Sequence, residues 1–417
     1  MSAASILIWI VAGLAIAGVI VRPFHWPEAI WAVGGAIVLV SARLIPPGDA
    51  LRAVGKGVDV YLFLAGMMLL SEVARREGLF DWVATYAVNA GRGSPRRLFV
   101  LVYAVGTVVT FFLSNDATAV VLTPAVFAAT RKAKVEPLPF LLVCAFIANA
   151  ASFVLPISNP ANLVLYGDHT PPLGRWMASF ALPSLISIAI TYVALRWTQR
   201  EALFGTCVSE VEQPRLSAGG QAVLIGITLT GATLLVVSAL DIQLGAPTCA
   251  MGVLAAVAVL AINRSSPWPV VKGVTWSVVP LVAGLFVMVE ALDRSGLTRL
   301  LAALIRNAVS TSVDGAAAAS GAILAVASNL TNNLPAGLVA SAAITQAHPP
   351  QKLVDALLIG VDLGPNLSIT GSLATILWLT AIRREGEEVG FLSFLKIGAI
   401  VMPPALVLAI AVRLLMA

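Results

Sequence analysis

Two runs without a single charged residue constrain this chain more than any other feature. One extends from Pro137 to Gly167, 31 residues, and the other from Gly315 to Gln351, 37 residues. A helix of about 20 apolar residues crosses the hydrocarbon of a bilayer, so runs of this length fit no water-soluble domain. Composition agrees: of 417 residues 59% are hydrophobic and 11% charged, where a soluble protein carries roughly a quarter charged residues. The expected fold class is an all-α polytopic membrane protein. The excess of 26 Lys+Arg over 21 Asp+Glu then reads as basic loops on one side of a bilayer, not as a nucleic-acid surface. The first apolar stretch lacks a basic leader and reads as a span, not a cleaved signal.

Apolar segments fall near 5–21, 27–42, 58–74, 98–130, 137–166 and 177–195. A hydrophilic stretch, Arg196 to Gly220, follows, and six more apolar segments fall near 221–240, 246–262, 276–292, 315–347, 353–382 and 391–412. This arrangement predicts a duplication: a first repeat over 1–197, a linker over 198–219 and a second repeat over 220–417. Residue matches support it. Ala65-Gly66, Glu72 and Gly78-Leu79 recur as Ala283-Gly284, Glu290 and Gly296-Leu297 at an offset of 218, and 113–119 lies over 330–336 at an offset of 217.

Polar residues interrupt two segments in each half. Residues 98–130 are too long for one span and too short for two, with S-N-D-A-T at their centre, which predicts a re-entrant hairpin. Residues 315–347 repeat this around S-N-L-T-N-N-L-P. The segments 137–166 and 353–382 carry L-P-I-S-N-P-A-N and D-L-G-P-N-L-S-I-T-G-S, and each reads as one helix broken in two. Irregular backbone at membrane depth is tolerated only where protein or a wet cavity satisfies its polar groups, and such breaks are the sequence mark of a transport site. Each half then has five crossings plus one hairpin. Five is odd, so the halves are expected to be inverted. The 26 basic residues divide 17 to 9 between the two faces, which places the richer face in the cytoplasm of an inner membrane and both termini in the periplasm.

The candidate substrate-binding residues are the polar side chains at these breaks: Ser114, Asn115, Thr118, Ser158, Asn159, Asn162, Asn329, Thr331, Asn332, Asn333, Asn366 and Thr370. With converging helix termini they suit a small hydroxylated or anionic solute, or a hard cation held by oxygens. Two acids stand among them, Asp116 and Asp362. A carboxyl at the centre of a span is costly and normally has a partner or a function, and proton coupling is the role expected for both. Glu72 and Glu290 read as interfacial because arginines follow within a turn. Cys144, Cys207 and Cys249 match no metal or disulfide spacing, and His25, His169 and His348 fall in loops. With no phosphate loop, no H-E-x-x-H and no nucleophile–base pair, neither an enzyme nor a cofactor is expected.

The broken segments resemble a known family. F-F-L-S-N-D-A-T-A-V-V-L-T-P at 111–124, L-P-I-S-N-P-A-N-L at 155–163, S-N-L-T-N-N-L-P-A-G at 328–337 and G-V-D-L-G-P-N-L-S-I-T-G-S-L-A-T-I-L-W at 360–378 are similar to those of the ArsB-type arsenite efflux pumps of the ion-transporter superfamily. The resemblance implies export of arsenite and antimonite by proton antiport or with an ArsA-type ATPase partner. It also implies paired hairpins moving as an elevator, often in a dimer. Where the family pattern reads D-L-G-P-K, this chain has Asn366, so a fixed positive charge is absent there. A sodium/proton antiporter of the same superfamily is the alternative, because Asp116 amid Asn and Thr also suits Na⁺.

Overall fold

The computed structural model describes residues 3–167, 170–240 and 242–416, and His169 lies outside them. Every regular element described is helical. Among the described residues, seven helices are long and apolar enough to cross a membrane: Ala3–Val21, Pro95–Leu113, Leu173–Thr198, Ala218–Ala239, Gly245–Asn263, Val313–Thr331 and Phe391–Leu415. The pair Pro47–Lys56 and Val58–Arg76, bent by 48°, is long and apolar enough to make an eighth if it is one broken span. The other apolar segments are shorter helices, among them Glu28–Ser41 and Leu138–Ala150. The protein is a multi-pass helical membrane protein.

The helices form two bodies. A framework comprises Ala3–Val21, Glu28–Ser41, Val58–Arg76, Ala218–Ala239, Gly245–Asn263 and Val278–Arg294, interlocked because Val58–Arg76 packs along Gly245–Asn263 and Glu28–Ser41 along Val278–Arg294. Small residues set the first of these contacts: a Cβ on Gly66 would lie 2.3 Å from the Thr248 carbonyl oxygen, and one on Gly252 would lie 2.3 Å from that of Gly66. Close backbone approach at small residues is how helices gain packing where lipid offers no hydrophobic drive. A core body comprises the two hairpins, the two broken helices and Leu173–Thr198 packed against Phe391–Leu415. The amphipathic helices Leu79–Ala90 and Leu297–Thr311 join the bodies, each packing on both arms of the hairpin that follows it.

Both hairpins extend beyond their expected bounds. The first has arms Pro95–Leu113 and 115–132, the second Val313–Thr331 and Asn333–Ala347. The first arms are full-length helices because Ser94 and Ser312 cap them ahead of the apolar run, accepting from Arg97 N and Gly315 N. Apolarity begins only after Arg96 and Arg97, whereas the helix begins at the cap. The turns fall at Ser114 (φ 96, ψ 162) and Asn332 (φ 73, ψ 150). That pairing has an offset of 218, so the 217 register read from the motif slips by one. The structural counterpart of Asp116 is Leu334, not Asn333.

The breaks in the other pair follow from proline. Leu155 (φ −124, ψ 157) and Asn159 (φ −151, ψ 131) precede Pro156 and Pro160 and are extended, since a residue before proline avoids the helical region. The halves are Leu138–Ala150 and Pro160–Tyr166. In the second broken helix, Gln351–Leu363 runs into a tight turn at Gly364–Asn366 and resumes as Leu373–Arg384.

The linker is not free chain. Asn89 brackets Val211, donating to its carbonyl at 2.8 Å and accepting from its N–H at 2.7 Å. Cys207 N donates to Gly93 O and Val208 N to Ala133 O, both at 3.0 Å. The linker therefore straps the two ends of the first hairpin together, and the guanidinium of Arg96 lies 4.5 Å over the Phe204 ring.

Candidate transport site

Ser114 and Asp116, at the first hairpin tip, face the framework across a cavity of about 70 Å³. Its other walls include Met67, Ser71 and Glu72 of the framework helix, Thr275, and Pro160 of the first broken helix. No Lys or Arg lines it. Glu72, read from sequence as interfacial, is buried (6% exposed) and held in a forked pair by Arg75 at 2.7 Å. Only the fold could reveal that the helix carrying Glu72 passes the hairpin tip.

Behind the cavity the two broken helices meet. Asn159 donates to Oδ1 of Asp362 at 2.7 Å, and its own Oδ1 caps the next helix by accepting from Ala161 N at 3.0 Å. Asp362 is wholly buried and its Oδ2 has no partner. An ionised carboxylate has about four acceptor sites to fill, and leaving one oxygen bare in a dry interior is expensive. Asn115 Oδ1 and Asn162 Oδ1 are likewise buried without partners, while the Asn162 amide donates to Ser152 O and Leu155 O at 2.8 and 3.2 Å. Ser158 donates to Phe111 O at 3.1 Å and so stitches the first break to the first hairpin.

Two further knots hold the second break. Asn329 donates to Gly364 O at 2.9 Å, its Oδ1 accepts from Ser368 at 2.8 Å, and its carbonyl accepts from Thr370 at 2.9 Å. Asn333 N donates to Gly371 O at 2.9 Å, which seats the second hairpin tip on the turn. Asn366 accepts from Asn149 Nδ2 at 3.0 Å and donates to Phe146 O at 3.0 Å. Asn149, which sequence reasoning missed, also accepts from Ser372 at 3.2 Å. A lone amide inside the longer half of an uncharged run was its available signal. The position where the family pattern carries Lys is thus filled by an amide-to-amide contact between the two broken helices.

Not every candidate converges on the site. Thr118 bonds Thr110 at 2.8 Å inside the first hairpin, beside a π-helical turn at Thr118–Leu122. Thr331 donates to Ala327 O at 3.0 Å and faces an apolar groove. Asn332 caps the second tip, accepting from Leu334 N at 3.3 Å. The cysteines stay apart: Cys144 is buried in the first broken helix, Cys207 sits in the linker and Cys249 in the framework. Burial pushes the Cys207 thiol up, so it stays protonated.

Paired hairpins, paired broken helices and a cavity between two bodies, mostly apolar but carrying Ser71, Glu72, Ser114, Asp116 and Thr275 on its walls, define a membrane transporter. The family described as citrate transporter (CitMHS) matches residues 6–361, and the chain belongs to that family. It is 26% identical over 397 residues to the arsenical pump membrane protein of Escherichia coli strain K12, covering 90% of this chain and 91% of that one. The arsenical pump membrane protein of Yersinia enterocolitica is 27% identical over 365 residues, covering 83% of each. An uncharacterized transporter of Mycobacterium tuberculosis is 25% identical over 395 residues, covering 91% of each. The crystal structure of the Alcanivorax borkumensis YdaH transporter superposes with a TM-score of 0.59 at 15% identity, over 87% of this chain and 86% of that one. The fold is therefore one found in solved transporters, and the ArsB-type resemblance extends over about nine-tenths of the chain.

Proposed function

We propose that this secondary transporter exports trivalent metalloid, arsenite and antimonite, across the inner membrane in exchange for protons. The observation that carries this reading is a cavity with acids on its walls and no basic residue. A polyanion such as citrate would meet two carboxylates there, and the one nearby countercharge, Arg75, is already taken up by Glu72. A neutral trihydroxide instead needs donors and acceptors, which Ser71, Ser114 and Thr275 offer. Asp116 takes protons in the cavity. Asp362, with one oxygen bare, fits a neutral acid carrying its proton there. The names of the two arsenical pump relatives support the substrate.

The repeats are proposed to be inverted and to divide near 197 and 220, because the element series over 3–198 recurs in the same order over 218–415. The cavity lies beside Arg75, Arg76 and Lys272, on the face assigned to the cytoplasm, so this conformation takes up substrate from inside. The core body then moves past the framework to release it outside. A homodimer and an ArsA-type partner remain parts of this proposal that the family resemblance alone supports.

The test is arsenite accumulation in everted vesicles without ATP. Uptake that needs a proton gradient and stops on adding an uncoupler is the expected result. The second reading, sodium/proton exchange, is favoured by the three buried and unpartnered oxygens of Asn115, Asn162 and Asp362. Sodium-driven proton movement with no arsenite uptake would establish it instead.

A further inference from the structure

A buried charge pair lies at the far end of the core body, away from the cavity. Asp355 is 0% and Arg413 6% exposed. The Asp355 carboxylate accepts from Arg413 Nε, from the Tyr166 hydroxyl and from Gln351 Nε2, each at 2.7 Å. Those groups tie together three elements: Pro160–Tyr166, Gln351–Leu363 and Phe391–Leu415.

The placement repeats that of the transport site. Asp355 and Asp362 are seven residues apart on one helix, and Asn159 and Tyr166 are seven residues apart across its neighbour. Seven residues make almost two turns, about 10.5 Å, so each pair shares one helix face. The two half-helices run in opposite senses and form two rungs: Asn159 to Asp362 and Tyr166 to Asp355, each at 2.7 Å. Between the rungs Leu358 and Ile359 are buried and apolar, and apolar contacts alone do not fix how far one helix slides along another.

We propose that the Arg413–Asp355–Tyr166 cluster is a positioning device that sets the register of these half-helices, so that Asn159 meets Asp362. Registry is the best-attested use of a buried ion pair. A slip of one residue turns a side chain about 100° around its helix and takes Asn159 off the carboxylate. Arg413 pairs with Asp355 at 2.7 Å. Tyr166, Gln351 and Arg413 face Asp355, while Lys352 is directed to Leu414 O at 2.8 Å. Asn159 and Ser152 face Asp362. The inference rests on the coupling role proposed for Asp362.

The test uses purified full-length protein in proteoliposomes, with Asp355→Asn, Tyr166→Phe and Arg413→Lys. Arsenite-driven proton movement is measured against pH for KM and turnover, beside arsenite counterflow with no gradient. For Asp355→Asn the expected result is a loss of roughly tenfold or more in turnover, as for other misplaced reacting groups, with KM unchanged. The pH of half-maximal exchange also moves, because Asp362 loses its contact with Asn159. Tyr166→Phe moves both in the same direction by less, and Arg413→Lys stays near wild type. A fall in turnover with an unmoved pH profile would mean a merely structural role and would overturn the proposal. Should Asp355→Asn fail to fold, Tyr166→Phe decides alone, since it removes one hydroxyl from a retained ring. A pH-dependent wild type with unmoved variants sinks this inference only. A wild type indifferent to pH sinks the coupling reading, and this inference with it.

Discussion

The two hairpins occupy equivalent places in the chain and are held very differently. The first is strapped at its base by the linker, and its supporting helix Leu79–Ala90 buries Leu79, Phe80, Ala84, Thr85, Ala87 and Val88. The second has no such strap among the described residues, and its supporting helix Leu297–Thr311 buries only Thr298 and Ala302. Beside it an apolar groove of about 610 Å³ runs between Ala3–Val21 and the hairpin. The tips differ as well, with Asp116 at the first and Leu334 at the second. Both turns nevertheless adopt a backbone region that is nearly reserved for glycine and costs of order 1–3 kcal/mol. The two tips thus share a strained turn and differ in chemistry, with the carboxylate on one of them only.

The largest expected effect comes from erasing the chemical difference. Asp116→Asn should abolish gradient-driven arsenite uptake while leaving counterflow measurable, and Leu334→Asp added to it should not restore uptake. Rescue by the second tip would mean that the hairpins are interchangeable. A smaller but still large effect is expected where packing, not charge, matters. A Cβ at Gly360 would lie 2.2 Å from the Gly321 carbonyl oxygen, so Gly360→Val should cost about 1–3 kcal/mol or more, read as a lower midpoint of thermal unfolding in detergent.

How much of this was legible in the sequence depends on the residue. The breaks were readable because polar residues such as Ser158, Asn159 and Asn366 interrupt uncharged apolar runs, and a broken helix in a bilayer has few explanations. The span character of the chain followed from uncharged length alone. The partners of the polar residues were not readable. Asn159 meets Asp362 across 203 positions and Asn149 meets Asn366 across 217, distances over which local pattern carries no information. The register of the tips slipped by one because matching letters, Asn115 over Asn332, outweighed the turn geometry that pairs Ser114 with Asn332. The place of Glu72 on the cavity wall was not readable, because the hairpin tip approaches it from another part of the chain.

Asn89→Ala tests the strap. Loss of its two bonds to Val211 should weaken docking by about 1–2 kcal/mol, seen as faster protease cutting between 200 and 217 with the spans intact. Unchanged cutting would mean the strap is held by its other contacts. The smallest effect concerns the shared strain. Ser114→Gly should stabilise the fold by up to about 1 kcal/mol. Asn332→Gly should gain less, because it also loses the cap on Leu334 N. Equal gains would show that the cap contributes nothing at the second tip.

The central claim is that metalloid leaves against protons through the carboxylate of the first hairpin. Its most direct measurement places purified protein in liposomes with a trapped pH dye and adds arsenite on one side. Proton movement opposite to arsenite, in fixed ratio, and its loss in Asp116→Asn are the expected results. Arsenite entry with no proton movement, or full proton exchange in Asp116→Asn, would contradict it.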